Sequence, residues 1–342
     1  MAPLLSACKI IGLLLSIGLG TLCLFLWIGW PKIYPKTYGI TWSATYARYL
    51  GVDPTEGLTK ALEELHVRYV RLPVYWSEVE PEEGQFVWQE IDDQLALIQK
   101  HEGKAILVLG AKQPRWPECH YPAWVKEQSS SLRGERQLAY VEAAVRRYRT
   151  HPAVEMWQVE NEPGFFSWFG DCSFFDKKLI PEEASLVARL DREGATTSRK
   201  IITTASGELS RWVTPSNTYT GLGISVYRVT ANLLTKRWSY WFLPPWFYAH
   251  KANLFYLGRT KNIFVSEFQM EPWVQTDMKT MPISEQWHYF DLTQMKKNRL
   301  FAERMDMPRV YFWGAEWWYW MKIQNYPHFW EEARTWFSPP TK

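Results

Sequence analysis

The sequence predicts an α/β protein: a (β/α)8 TIM barrel preceded by one N-terminal transmembrane helix. Three observations carry this. From Tyr38 onward, eight short β-rich runs alternate with stretches of helical spacing over about 300 of the 342 residues, matching that barrel in count and size. Residues 10–30 form an apolar run of 21 residues without a charge. No glycine-rich phosphate-binding turn follows the first strand, since Gly39 and Gly51 form no such motif, and this ranks a doubly wound sheet second.

The apolar run comes first. As a helix rising about 1.5 Å per residue it spans roughly 30 Å, the thickness of a bilayer core. Trp27 and Trp30 stand at its far end, where amphipathic rings favour the headgroup layer, and Lys32 and Lys36 follow. A cleaved signal peptide with Lys9 as its charged region is the competing reading. The run is long for that, and no small-x-small site precedes Pro31. The expected division is a membrane anchor over 1–30, a linker over 31–37 and one barrel over 38–342. A linker of seven residues reaches at most about 23–25 Å, which puts the bottom of the barrel near the membrane and its mouth away from it. Lys9 on one side against Lys32, Lys36 and Arg48 on the other does not favour an outside domain, although long domains translocate largely regardless of charge.

The strands are expected at 38–42, 69–73, 104–110, 154–159, 201–205, 221–227, 263–267 and 309–314. Helical spacing covers 55–66, 89–101, 135–150, 181–193 and 284–305. Ala61, Leu62 and Leu65 show the i, i+3, i+4 pattern, and Pro54 and Pro181 sit at helix starts, where a missing N–H costs nothing. Residues 237–256 are strongly aromatic and give no clear period.

Composition narrows the function. With 39 Lys+Arg against 36 Asp+Glu, the net charge of +3 is too small to argue for nucleic acid. Four cysteines exclude a disulfide-dense scaffold and a thiolate metal cluster. The seven histidines show no metal-ligand spacing, so neither zinc nor another cofactor is expected. The 21 tryptophans, 18 tyrosines and 17 phenylalanines suit a membrane interface or a groove that binds sugars.

In such a barrel the chemistry sits where strands end. The fourth strand ends Glu160-Asn161-Glu162-Pro163 and the seventh ends Ser266-Glu267-Phe268. Strands four and seven face each other across the mouth. Paired carboxyls there can break a glycosidic bond, one protonating the leaving oxygen while the other attacks or activates water.

Asn161-Glu162-Pro163 with Ser266-Glu267 resembles the retaining glycoside hydrolases of clan A, which include the family-five cellulases and several β-glycosidase families. The resemblance runs from about Tyr38 to the C-terminus. It implies Glu162 as acid/base, Asn161 as partner of the sugar 2-hydroxyl and Glu267 as nucleophile. Arg71 in Arg71-Leu72-Pro73 resembles the strand-two arginine that supports the nucleophile. Tyr227 resembles the strand-six tyrosine that hydrogen-bonds it, and Trp313 the platform beneath the sugar. The segment from Trp76 to Trp88 resembles the clan's second βα loop. Two departures stand out: family five usually has a histidine after strand three, where Lys112 or Gln113 stands, and another two residues before the tyrosine, where Ser225 stands.

Other readings accompany these. Glu162 could cap a helix opened by Pro163, Arg71 could be a structural ion-pair partner, and Glu271 and Glu316 are rival nucleophiles on the same rim. Glu78, Glu80, Glu82 and Glu83 read as a solvated charge cluster, and His120 as local structure or a substrate contact. Trp116 and Trp273 are further candidate sugar platforms, within a wider set of tryptophans expected around the mouth. Residues 238–247 have a second reading as a patch on the membrane surface. Cys119 and Cys172 follow strands three and four at one face, which would permit a disulfide and hence an extracytoplasmic domain. The expected function is a single-pass membrane-anchored retaining β-glycoside hydrolase acting on an oligo- or polysaccharide, its oligomeric state open. A sugar-binding barrel without turnover and an envelope-glycan transglycosylase are the alternatives.

Overall fold

The computed structural model describes residues 2–28, 36–164, 170–194, 198–231, 237–256, 263–274 and 276–337. The eight expected runs are strands β1 Thr37–Thr41, β2 Tyr69–Pro73, β3 Lys104–Leu109, β4 Val154–Val159, β5 Lys200–Ser206, β6 Gly221–Val226, β7 Ile263–Gln269 and β8 Arg309–Trp313. They are buried along most of their length on both faces, as parallel strands between a core and a layer of helices require. All pair in parallel with their sequence neighbours. β1 also pairs with β8, with Tyr38 opposite Val310, and this closes the barrel.

The interior is filled by side chains. Ile106, Met156, Ile202, Phe264 and Tyr311 form one inner cluster with Tyr69 against it. Near the start of β4, Glu155 receives both arms of Arg309, at 2.8 and 3.1 Å. The outer core lies between strands and helices, and there Trp42, Trp76, Trp157, Trp212, Trp317 and Trp318 are fully buried. Most of the expected aromatic mouth is therefore packing. A buried aromatic ring removes about 150–250 Å² from water, worth roughly 4–6 kcal/mol at about 25 cal/mol per Å². Trp168 lies outside the described residues.

The described helices are α1 Ala2–Ile28, α2 Ala44–Leu50, α3 Pro54–Glu63, α4 Trp76–Val79, α5 Gln89–Lys100, α6 Ala123–Lys126, α7 Ser130–Tyr148, α8 Ile180–Gly194, α9 Pro245–Tyr256, α10 Ile283–Tyr289, α11 Leu292–Arg304, α12 Ala315–Ile323 and α13 His328–Phe337. Their starts follow capping chemistry. Asp53 accepts from the Glu56 N–H at 2.8 Å with Pro54 at the first turn, and Ser129 caps α7, which starts five residues before the expected position. The helix expected over 284–305 is two helices. Phe290 turns extended, and Asp291 starts α11 by accepting from the Gln294 N–H at 2.6 Å. In the aromatic segment, Trp238–Ser239 pairs antiparallel with Val229–Thr230 before α9.

In α1, side chains are described from Lys9 to Cys23, a length of about 22 Å. Its large apolar residues, from Ile10 at 59% exposure to Leu22 at 51%, are all exposed. Among the described residues no helix is long and apolar enough to cross a membrane. Trp30, Lys32 and most of the linker lie outside them, as does the side chain of Trp27. Lys36, expected to flank headgroups, instead donates to the Ala302 carbonyl at 3.0 Å, and burial lowers its pKa to about 8.

Candidate active site

β7 carries an irregularity at the point where its carboxylate stands. Ile224 pairs with Val265 while Ser225 pairs with Glu267, and on the other side Val310 pairs with Val265 while Phe312 pairs with Phe268. β7 therefore holds one residue more than either neighbour, around Ser266. Such a bulge re-aims a side chain at a barrel rim.

Glu267 is buried, with both oxygens occupied. Arg71 Nη1 donates to Oε1 at 2.7 Å and the Tyr227 hydroxyl donates to Oε2 at 3.0 Å. Arg71 extends further: Nε reaches Gln158 Oε1 at 2.8 Å and Nη2 reaches Asn161 Oδ1 at 2.7 Å. The same Asn161 oxygen accepts from Thr204 Oγ1 at 2.8 Å. With its carbonyl engaged, Asn161 has its amide donors left to offer a ligand.

Glu162 is half-buried after β4, in the left-handed backbone region at φ 47°. Its N–H donates to Thr204 Oγ1 at 2.8 Å, and Ser225 Oγ donates to its carboxyl. Burial, then the charge of Glu267, raise its pKa, while Lys112, the Ser225 hydrogen bond and Arg71 oppose the rise. The capping alternative finds no support, since the segment from Asn161 to Gly164 is not helical.

Glu271 and Glu316, the rival nucleophiles, both pair with Arg115; the Glu316 contact is 2.9 Å. Arg115 lies 3.7 Å over the Tyr46 ring and 3.9 Å over that of Trp313. One face of the expected sugar platform is thus covered, and Trp313 is 6% exposed. Trp116 is the open ring, at 71% exposure, and Trp273 is half-buried after β7. Cys119 and Cys172 are disulfide-bonded. His120 is buried against Tyr75, ring centroids 4.0 Å apart, and burial lowers its pKa to about 4. Glu80 departs from the solvated cluster: it is buried and accepts from Trp76 Nε1 at 2.7 Å and the Gly84 N–H at 2.9 Å. Among the described residues no group of three or more His, Cys, Asp or Glu could hold a metal ion. A groove of about 350 Å³ beside α2 and α5, between Arg48, Tyr75 and Glu90, contains neither Glu162 nor Glu267.

Sequence reasoning passed over Thr204, Glu118 and Arg115, and noted Lys112 and Ser225 as departures without giving them a role. Ser225 carried a usable signal. Two residues before Tyr227 on one strand, it must share its face.

Residues 55–174 match the Glyco_hydro_42 family model, described as beta-galactosidase. This stretch includes Arg71, Asn161 and Glu162 and stops short of Glu267. Beta-galactosidase Pbg of Clostridium perfringens is 29% identical over 116 residues, 28% of this chain and 17% of that protein. GanA of Bacillus subtilis is 31% identical over 114 residues, 28% of this chain and 16% of that one. The matches thus span less than a fifth of these relatives. Among solved structures, the β-galactosidase of Rahnella sp. R3 superposes with a TM-score of 0.54 at 13% identity, covering 82% of this chain and 50% of its own. An exo-β-1,4-mannosidase of Opitutaceae bacterium strain TAV5 gives 0.53 at 14% identity, with 82% and 51% covered. The family model that matches is thus the β-galactosidase one and not a family-five cellulase. The chain is a (β/α)8 barrel that is similar to β-galactosidases over residues 55–174.

Proposed function

We propose that the chain is a membrane-anchored retaining β-glycosidase. Glu267 attacks the anomeric carbon while Glu162 gives its proton to the departing oxygen, leaving a glycosyl ester on Glu267. Glu162, now a carboxylate, takes a proton from water, and that water displaces Glu267 so that the sugar leaves with its configuration retained. One observation carries the reading. The Ser225 hydroxyl that holds Glu162 belongs to the residue directly opposite Glu267 on the next strand. Retention needs carboxyl groups roughly 5–5.5 Å apart, and a shared neighbour in Ser225 supports that closeness.

The proton on Glu162 is supported by burial and by the charge of Glu267. The relatives' names put β-galactosides first among substrates to try. The exposed apolar surface of α1 supports the anchor, and the Cys119–Cys172 disulfide supports an extracytoplasmic barrel, where disulfides persist.

The test is hydrolysis of aryl β-galactosides, β-glucosides and β-mannosides by the full chain. Glu267→Ala should abolish turnover, and azide should restore it, yielding the α-glycosyl azide from the vacated face. Glu162→Ala should lose about 10²–10⁴-fold on poor leaving groups and far less on dinitrophenyl glycosides, which leave without a proton. Undiminished hydrolysis by either variant would sink the assignment.

A further inference from the structure

Lys112 lies 2% exposed between the ends of β3 and β4, where the clan A reading of the site has no task for it. Four contacts bind it to the turn that carries Glu162. Its N–H donates to Glu160 Oε2 at 2.6 Å, and its carbonyl accepts from the Asn161 N–H at 2.7 Å. Its Nζ donates to the carbonyl of Asn161 at 3.1 Å and to that of Glu162 at 3.4 Å. One buried and one part-buried carbonyl in this turn need donors, and a lysine from the segment after β3 supplies them.

The ammonium's ion-pair partner is Glu118, at 3.4 Å. Several contacts hold Glu118 in place. Its carbonyl accepts from the Gln113 N–H at 2.7 Å, its N–H donates to the Arg115 carbonyl at 2.8 Å, and the disulfide begins at the next residue. Gly170 packs so close that a Cβ there would come within 2.8 Å of Glu118 Cγ. Glu118 is thus a third carboxyl in the site. Its pKa is pushed up to about 7, first by burial and then, against the pull of Lys112, by the charges of Glu162 and Glu267.

We infer that Lys112, with Glu118 as its counter-ion, is a positioning residue that fixes the turn bearing Glu162 and sets how firmly Glu162 holds its proton. The inference rests on Glu162 being the acid/base. The groups around Glu162 are Arg71 from β2, Lys112 and Glu118 from the segment after β3, Thr204 from β5, Ser225 and Tyr227 from the β6 end, and Glu267 from β7. Of the charges among these, Arg71 and Glu267 belong to the nucleophile's arrangement. Lys112 and Glu118 are a separate pair acting with opposite sign on one proton.

The experiment is the pH dependence of kcat/KM on a poor leaving group, an alkyl or unactivated aryl β-galactoside, for Lys112→Met, Glu118→Gln, the double variant and Lys112→Arg. Loss of the ammonium leaves Glu162 holding its proton more tightly, so Lys112→Met moves the basic limb up. Loss of the neighbouring carboxylate moves that limb down in Glu118→Gln. The double variant returns towards the parent limb, and Lys112→Arg stays near it. Lys112→Met should also lose roughly tenfold or more at the optimum, part of the 10²–10⁴-fold that a well-placed acid supplies, and much less on dinitrophenyl glycosides. Basic limbs that stay put, or that move the same way in both single variants, overturn the inference. Should Lys112→Met not fold, Glu118→Gln and Lys112→Arg still decide it by the limb. Glu162→Gln run alongside separates the failures: full activity there defeats the acid/base assignment itself, whatever Lys112 does.

Discussion

Arg71 directs three nitrogens to three different side chains: Gln158 and Asn161 at the end of β4, and Glu267 on β7. A guanidinium can do this because its donors lie in a rigid planar fork, whereas an ammonium on a flexible stem offers a point charge. The substitution Arg71→Lys therefore keeps the charge and loses the alignment of the proposed acid/base, Glu162, against the proposed nucleophile, Glu267. The expected outcome is a kcat lowered about 10²-fold, the scale of a 1 Å misplacement in an active site, with KM changed far less. Steady-state kinetics on an aryl β-galactoside check it, and a variant with the parent kcat would reduce Arg71 to a counter-charge. Trp313 shows the opposite relation between residue and role. Its position at the end of β8 suggested an open platform, but Arg115 from the β3 side lies over it and is itself held by Glu271 and Glu316. These partners are separated from Arg115 by 156 and 201 positions, a distance over which one sequence carries no local signal.

At the scale of elements, the strands were legible because parallel barrel strands are buried on both faces and so appear as short β-branched runs between polar turns. All eight begin and end within two residues of expectation. The helices were read less well where a cap overrides a period. Spacing ran on through Phe290, yet the Asp291 side chain offers the Gln294 N–H a better partner and starts a new helix. In the site, the positions of Glu162 and Glu267 were readable because one follows a recognisable strand and the other stands near the end of one, and Arg71 and Tyr227 were readable as partners of Glu267. The bulge was not: it lies around Ser266 in β7, and a bulge depends on pairing with both neighbours. Glu80 was misread because four nearby glutamates suggest solvent, while Trp76 and Gly84 bury this one by hydrogen bonding it. The element that tests the proposal most directly is α1. The exposed leucines and isoleucines between Lys9 and Cys23 are the observation that supports the proposed anchor. Membranes from cells making the full-length chain should keep it in the pellet through an alkaline carbonate wash and release it to detergent. Recovery in the carbonate supernatant would replace the anchor with a cleaved or peripheral segment.

At the scale of the molecule, the barrel holds many buried carboxyls, and their number outside the proposed catalytic pair has a consequence for stability. Glu118, Glu183, Glu208 and Glu271 each have a pKa pushed up to about 7, burial being the first cause in every case. Glu183 shows the cost plainly: it accepts from Gln137 at 2.7 Å and otherwise faces the buried carboxyl of Glu160, so two acids share one apolar site. Between the ordinary carboxyl value of about 4.5 and a folded value of about 7, the folded chain binds more protons than the unfolded one. Stability then falls as pH rises, and the contribution, complete below the unfolded pKa, is lost as pH passes through the folded pKa. Asp92 and Glu64 act the other way: desolvation raises each, but Arg147 with Tyr148 at Asp92, and Lys322 with Trp330 and Lys60 at Glu64, together outweigh it and lower both pKa values. Their contribution is lost in more acidic solution, below the window of the buried four. The four raised carboxyls give a decline through pH 7, and the lowered pKa of buried His120 opposes it below about pH 6.5. Thermal unfolding followed by fluorescence between pH 5 and 8 should show a net fall in the midpoint, steepest above about pH 6.5. In Glu183→Gln the decline should be shallower, because a neutral amide stands in for the protonated acid at every pH. A midpoint that rises from pH 5 to 8, or a Glu183→Gln curve parallel to the parent, would show that these carboxyls are ionised without penalty in the folded barrel.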